Sequence, residues 1–230
     1  MIYIVSKERK FNVLENILKN KNKEYEYLNI SEKEFEDLVN SKNYEAIFVS
    51  KEYQDCLDEK KDLIYVKNGE IKYTELLYIG FSKFLDRNNI NMNEKRVLLL
   101  GSNKKARTIY RVLKDKYEKV TVFIATISEE LMDLEAGDRR IKKVEIKNMK
   151  QSDFIINATT LGNVGEENSS MLEKENEVRS YNIIDLIYEP KETALLLKYK
   201  VKGARIYGGL EIEKTKYYEA LKILENEFQV

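Results

Sequence analysis

The 230-residue sequence contains no histidine and no tryptophan, one cysteine and one proline. Without histidine there is no Ser-His-Asp chemistry and no common histidine-bearing zinc site. The single cysteine, Cys56, excludes an intramolecular disulfide and points to a reducing compartment; as a thiol it also has no imidazole to pair with. No apolar run approaches the roughly 20 residues that span a bilayer. The opening Met1-Ile2-Tyr3-Ile4-Val5 is too short for a signal peptide and reads as a strand. An excess of charge of either sign is missing too. Lys+Arg and Asp+Glu both number 40, so net charge gives no pull toward nucleic acid or an anionic membrane. The expectation is a soluble cytoplasmic protein, monomer or homodimer, whose partner is a small molecule rather than nucleic acid or a membrane.

What is present is an alternation of strands and helices. Charged residues make up 35% of the chain, and the hydrophobic fraction of 43% is ordinary for one large or two small globular domains. Ile2 to Val5, Tyr25 to Ile30 and Ala46 to Val49 read as strands. Phe11, Leu14, Ile17 and Leu18 recur at helical spacing between the first two. Ser31, with Glu34 three residues on, forms a capping box for the next helix, and a short helix is expected around Tyr53 to Leu57. Leu63 to Val66, Asn68-Gly69 and then Ile71 and Tyr73 make a hairpin signal, because a type I′ turn needs two residues at positive φ. Thr74 is placed to cap a helix running to about Asp86. Asn88 to Asn91 is a polar break, and the domain boundary is set there: 1–87 and 88–230.

The second half opens on Arg96-Val97-Leu98-Leu99-Leu100-Gly101, an apolar strand of the kind buried in parallel sheets. A helix from about Lys105 to Lys116 follows, then a strand from Val120 to Ile124, a helix capped by Ser128 with Leu131 and Leu134, and a short edge strand over Lys143 to Ile146. Asp153 to Thr159 and Tyr181 to Asp185 are further buried strands. Ile206-Tyr207 precedes a C-terminal helix over Glu213 to Phe228. This pattern predicts an α/β protein: a small N-terminal α/β domain and a doubly wound parallel sheet of Rossmann type.

Motifs sharpen the reading. Gly101 stands where a Rossmann sheet meets a dinucleotide, at a strand end opening a helix, but Gly101-Ser102-Asn103-Lys104-Lys105 carries one glycine and is a weak signal alone. More specific are Asn157-Ala158-Thr159-Thr160-Leu161-Gly162, Asp185-Leu186-Ile187-Tyr188-Glu189-Pro190-Lys191-Glu192-Thr193-Ala194-Leu195-Leu196, and Gly208-Gly209-Leu210. In order and spacing these resemble the signatures of the shikimate dehydrogenase family, N-A-T-P-L-G-M, D-x-x-Y-x-P-x-x-T-x-L-L and G-x-x-x-x-N/G-G. Tyr78-Ile79-Gly80-Phe81 and Arg96 to Arg107 extend the likeness, so that it covers roughly Leu63 to Ala220. The first sixty residues share only the βαβαβ pattern.

The resemblance implies an N-terminal substrate domain and an NADP- or NAD-binding domain, and an oxidoreductase that moves hydride to or from a small hydroxy or keto ring acid, as in aromatic amino acid biosynthesis. It assigns cofactor contacts to Gly101, Ser102, Asn103, Lys104, Thr126, Asn157, Ala158, Thr159, Leu161, Gly162 and Asp185. Substrate contacts fall to Tyr188, Gly208, Gly209 and Lys216. In the glycine turn, Asn103 tolerates a left-handed conformation, whereas Lys104 adopts one only at a cost.

The departures are as informative. The family's N-T-D aspartate falls on Leu77, with Glu75 a poor substitute nearby. Its V-T-x-P-x-K lysine falls on Gln54, leaving Lys51 as the nearest catalytic candidate. No paired serines for a substrate carboxylate appear among Ser6, Lys7, Glu8 and Arg9, and the substrate-reaching glutamine is Lys216. The N-R-T arginine that pairs with the 2′-phosphate of NADP is Ala125. Two readings therefore stay open: a changed dehydrogenase using NADP or NAD, or a non-catalytic member without cofactor that senses a small molecule or binds a protein.

Overall fold

Strand β1 (Ile2–Val5) leads into helix α1 (Asn12–Asn20), β2 (Tyr25–Leu28), α2 (Glu32–Ser41) and β3 (Ala46–Val49), followed by the short α3 (Lys51–Gln54), the hairpin β4 (Leu63–Lys67) and β5 (Glu70–Thr74), and α4 (Leu76–Arg87). The computed structural model describes residues 1–8, 11–57, 61–126 and 133–227. These strands form one five-stranded sheet in the order β2-β1-β3-β4-β5. The first three run parallel, and β4 and β5 are antiparallel additions. All four residues of β3 are buried, as a strand covered on both faces requires. Burying Ile47, Phe48 and Val49 contributes on the order of 1.5–3 kcal/mol each. On one face Ile2, Ile4, Phe48 and Leu63 pack with Leu14 and Leu18 of α1; on the other, Val5, Ile47 and Ile64 pack with Phe35 of α2 and Tyr53 of α3.

Local signals behave as read from sequence. Ser31 accepts from the Glu34 amide while Glu34 reaches back, completing the capping box. Asn68 (φ 51°) and Gly69 (φ 76°) form the turn between β4 and β5. Thr74, however, is not a cap. It ends β5, and the first amide of α4, that of Leu76, donates to Asp62 Oδ1 at 2.7 Å. A carboxylate from across the sheet has taken the capping role.

The second sheet begins at β6 (Arg96–Leu100) and continues through α5 (Lys104–Lys116), β7 (Thr121–Thr126), β8 (Arg139–Lys142), β9 (Phe154–Asn157), β10 (Asn182–Asp185), α6 (Ala194–Lys200), β11 (Arg205–Tyr207) and α7 (Gly209–Glu227). Its six strands lie in the order β11-β10-β9-β6-β7-β8, and all pairs are parallel. The edge strand falls four residues earlier than expected. Lys143–Asn148 is a 3-10 turn, with Ile146 buried and Val144 turned out. The helix expected from Ser128 lies largely outside the described residues, and Leu134 stands in a non-helical stretch. The C-terminal helix starts at Gly209 rather than Glu213.

By internal contacts the chain divides into two units, Met1–Gly80 with Lys214–Val230, and Phe81–Glu213. Within the first, Tyr217, Ala220, Leu221 and Leu224 of α7 join the core beside β1 and β3. Gly80 is what lets α4 approach α7, since a Cβ there would stand 2.7 Å from Cα of Lys216.

Candidate functional site: the C-terminal edge of the parallel sheet

The chain leaves β6 for β7 and β8 on one side, then returns to place β9, β10 and β11 on the other. The carboxyl ends of β6 and β9 thus flank a topological switch point, the place where open α/β sheets bind ligands. Leu100 pairs in register with Asn157. Gly101 follows in a left-handed conformation (φ 107°), with its Cα side against Ala158 and the Thr159 methyl. The left-handed residue of this turn is Gly101, and Asn103 is extended (φ −68°). Asn103 instead caps α5: its Oδ1 accepts from the Ala106 amide at 3.0 Å, and its Nδ2 donates to the Ala158 carbonyl at 2.9 Å. Lys104 is ordinary helix, so the strain expected of it does not arise.

The motif residues of β9 and β10 form one hydrogen-bonded group. Asp185 is fully buried. Its Oδ1 accepts from Asn157 Nδ2 and from the Ile187 amide, both at 3.0 Å, and its Oδ2 accepts from Thr193 Oγ1 at 2.6 Å. Thr193 in turn caps α6 by accepting from the Leu196 amide. Asn157 Oδ1 accepts from the Thr159 amide and hydroxyl, and Thr159 Oγ1 accepts from the Leu161 amide. Gly162 (φ 104°) turns the chain next. Burial pushes the Asp185 carboxyl up to about 6 against the opposing pull of Thr193, Ile187, Asn157 and Lys105. Every member is satisfied, so the group rigidifies this edge. Beside it, Ser102 Oγ and Thr126 Oγ1 are buried and 2.8 Å apart.

In the same unit, Tyr188 is half-buried, Glu189-Pro190 is a cis peptide, and Gly208 and Gly209 lead into α7. Gly209 is tight: a Cβ would meet the Ile187 carbonyl at 2.6 Å. The other two candidates belong to the first unit. Lys51 is exposed at the start of α3, and Lys216 is half-buried on α7 with its ammonium 4.4 Å from the ring centre of Tyr217.

The carboxyl edge of the five-stranded sheet holds two groups that sequence reasoning passed over, Lys61 and Asp62, beside Glu75, which it named. Val49 N donates to Asp62 O, so Asp62 and Lys61 continue the β4 register beside Val49 and Ser50. Lys61 Nζ lies 3.4 Å from Glu75 Oε2, both side chains largely covered. Burial raises the pKa of Asp62, opposed first by the charge of Lys216 and then by the Leu76 amide. Gln54, by contrast, spends its amide on the Val49 carbonyl (3.1 Å), and Leu77 is half-buried. Ser50 has N-cap backbone geometry but makes no cap, and its hydroxyl is the buried side-chain polar atom without a hydrogen-bond partner among the described residues. Ser50→Ala is accordingly expected to raise unfolding free energy by about 1 kcal/mol, read by urea denaturation; a loss of stability would show that the hydroxyl is satisfied in solution.

Among the described residues no group of three or more His, Cys, Asp or Glu side chains is placed to hold a metal ion, and no helix is long and apolar enough to cross a membrane. The Cys56 thiol is pushed up, first by burial and then by Glu32 and Glu36, away from the reactive thiolate.

A parallel sheet wound both ways from β6, with a glycine turn at the crossing, is of the Rossmann class. No family model matches the chain. Relatives do. A shikimate dehydrogenase (NADP(+)) of Clostridium botulinum is 25% identical over 219 residues, covering 86% of this chain and 83% of that enzyme. One from Nitrosopumilus maritimus is 30% identical over 175 residues, covering 70% and 63%. Among solved structures, a chorismate mutase/shikimate 5-dehydrogenase fusion from Clostridium acetobutylicum superposes with a TM-score of 0.81 at 21% identity, over 98% of this chain and 91% of that one. A Listeria monocytogenes shikimate 5-dehydrogenase, solved with shikimate and NAD, gives 0.77 at 16% identity, over 98% and 91%. In sequence and in fold the chain is similar to shikimate dehydrogenases.

Proposed function

We propose that this protein is an NAD(P)-binding oxidoreductase of shikimate dehydrogenase type, acting on the hydroxyl or keto group of a small ring acid. The observation that carries the reading is the turn at the switch point: Gly101 (φ 107°) follows β6 and opens α5, whose first turn holds Lys104 and Lys105 and no acid. The amides of a helix N-terminus with cations beside them suit the pyrophosphate of a dinucleotide, carried on the Gly101-Ser102-Asn103 turn with Thr126 beside it.

The bound nicotinamide supplies hydride transfer. The chain's own part is placement. The Asn157–Thr159–Leu161–Gly162 loop, locked by Asp185, faces the nicotinamide side, and Tyr188, Gly208, Gly209 and Lys216 serve the substrate. Proton transfer to or from the substrate oxygen needs a titratable group. With Leu77 and Gln54 at the family's acid and base positions, that role falls to another group, for which Lys51 is the candidate. Those same two replacements favour the second reading, a non-catalytic member that uses the fold for sensing or protein binding.

Titration with NADPH, NADH, NADP and NAD, followed by nicotinamide fluorescence and thermal shift, separates the two. Saturable binding of one of them at micromolar concentration is expected. No binding of any at millimolar concentration would leave a repurposed scaffold.

A further inference from the structure

We propose that Lys142 recognises a phosphate on the adenosine ribose and so makes the protein prefer NADP over NAD; this rests on the dinucleotide reading above. In Rossmann sheets the adenosine half extends from the glycine turn across the strand ends beyond it, and a cation there accommodates the 2′-phosphate. Here those ends are β7 and β8. Leu100 is in register with Ala125, and Thr126 with Lys142.

The end of β7 supplies no cation. Ala125 is fully buried in the core that also holds Leu98, Leu100 and Ile155, so a guanidinium at that position would have to be buried without water. Thr126 is committed to Ser102. The next strand is different. Residues in register on parallel neighbours send their side chains to the same face. Thr126 faces Ser102, inside the glycine turn, so Lys142 belongs to the face that carries the turn. Neighbouring strands lie about 4.8 Å apart, within reach of an extended lysine.

Lys142 is exposed and enters no ion pair among the described residues, whereas Lys143 is held by Glu173 at 2.5 Å. Glu145 is turned to the Lys142 backbone amide, accepting at 2.6 Å. The strand itself is fixed. Asp138, just before it, accepts from the Val122 amide and the Tyr110 hydroxyl, each at 2.7 Å, and pairs with Lys114 at 3.1 Å. Lys142 therefore stands on a fixed strand, next in line after the Ser102–Thr126 pair, as a cation with no ion pair among the described residues.

The test is calorimetric titration of the full chain with NADP, NAD and adenosine 2′,5′-bisphosphate, comparing wild type with Lys142→Met, Lys142→Arg and the control Lys147→Met. Wild type is expected to bind NADP about tenfold or more tighter than NAD. Lys142→Met is expected to weaken NADP and the bisphosphate by about that factor while leaving NAD within about twofold; Lys142→Arg and Lys147→Met keep the preference. Equal affinity of wild type for NADP and NAD overturns the assignment and leaves the dinucleotide reading standing. So does a Lys142→Met that weakens both cofactors alike or neither. Failure of every dinucleotide to bind overturns both.

Discussion

Gly209→Ala is expected to cost about 3 kcal/mol and to lower the melting temperature by roughly 6–12 °C. The position is not special for its φ. It is special because α7 begins in contact with another backbone: an added Cβ would lie 2.6 Å from the carbonyl carbon and oxygen of Ile187 and from the carbonyl carbon of Leu186. Side chains can rotate away from such an intrusion, but these peptide groups cannot. The Ile187 amide donates to Asp185, and the Ile187 carbonyl accepts from Gly209 itself at 3.1 Å. Movement would break bonds at the candidate site. Gly203→Ala is the comparison. There φ is 80° and nothing lies within 4 Å of the added carbon, so only left-handed strain of about 1 kcal/mol is incurred. Thermal melts of the two variants decide the matter, and equal losses would show that the contact at Gly209 relaxes.

The second large effect is Asp185→Ala, expected to cost about 3–5 kcal/mol at pH 4 and about 2 kcal/mol less at pH 7. The cost arises because Asn157 Nδ2, the Ile187 amide and Thr193 Oγ1 lose their acceptor together. The pH dependence follows from the raised carboxyl. Its folded pKa is about 6 against an ordinary 3.8. Between those values the folded protein binds the proton more strongly than the unfolded chain does. This group's contribution is therefore greatest below pH 4, is lost as pH rises toward 6, and is flat above that. Asp185→Asn keeps an oxygen for Asn157 and Ile187 but cannot ionise. The urea unfolding free energy of the wild type, less that of the Asp185→Asn variant, should therefore fall across that window. A difference that does not change with pH would mean that the carboxylate is ionised at no net cost in the folded state.

The parts of this fold that were legible in the sequence are those whose signal is local. A capping box needs Ser31 and Glu34 alone, a type I′ turn needs Asn68-Gly69, and a buried strand announces itself as an unbroken run such as Val97 to Leu100. The parts that were not legible depend on residues meeting from afar. Nothing near Leu76 says that its amide will find Asp62, 14 residues back. Strand β8, Arg-Arg-Ile-Lys, has no apolar pattern because it is an edge strand with mostly exposed side chains. The alternation of Val144 and Ile146 imitates a strand, yet it folds as a 3-10 turn in which only Ile146 is covered. At the candidate site the motifs identified Asn157, Asp185 and Thr193 as a set, but not that one carboxylate binds the other two. Lys142 carries no motif at all. Its significance comes from register with Thr126, a relation across two strands that spacing cannot express.

The division of the first unit has a consequence for how the protein is made. Its core draws on Ile2, Ile4 and Phe48 from one end of the chain and on Tyr217, Ala220, Leu221 and Leu224 from the other, whereas the second unit is a continuous stretch, Phe81–Glu213. Synthesis runs from the N-terminus and usually lets the earlier domain fold first. Here the order is inverted. The five-stranded sheet is translated first but keeps an apolar face open until α7, which follows the whole of the second unit, is made, so the parallel sheet can close while its predecessor waits. In that interval, rather than in the finished fold, the uncovered apolar face is expected to make the chain most prone to aggregate.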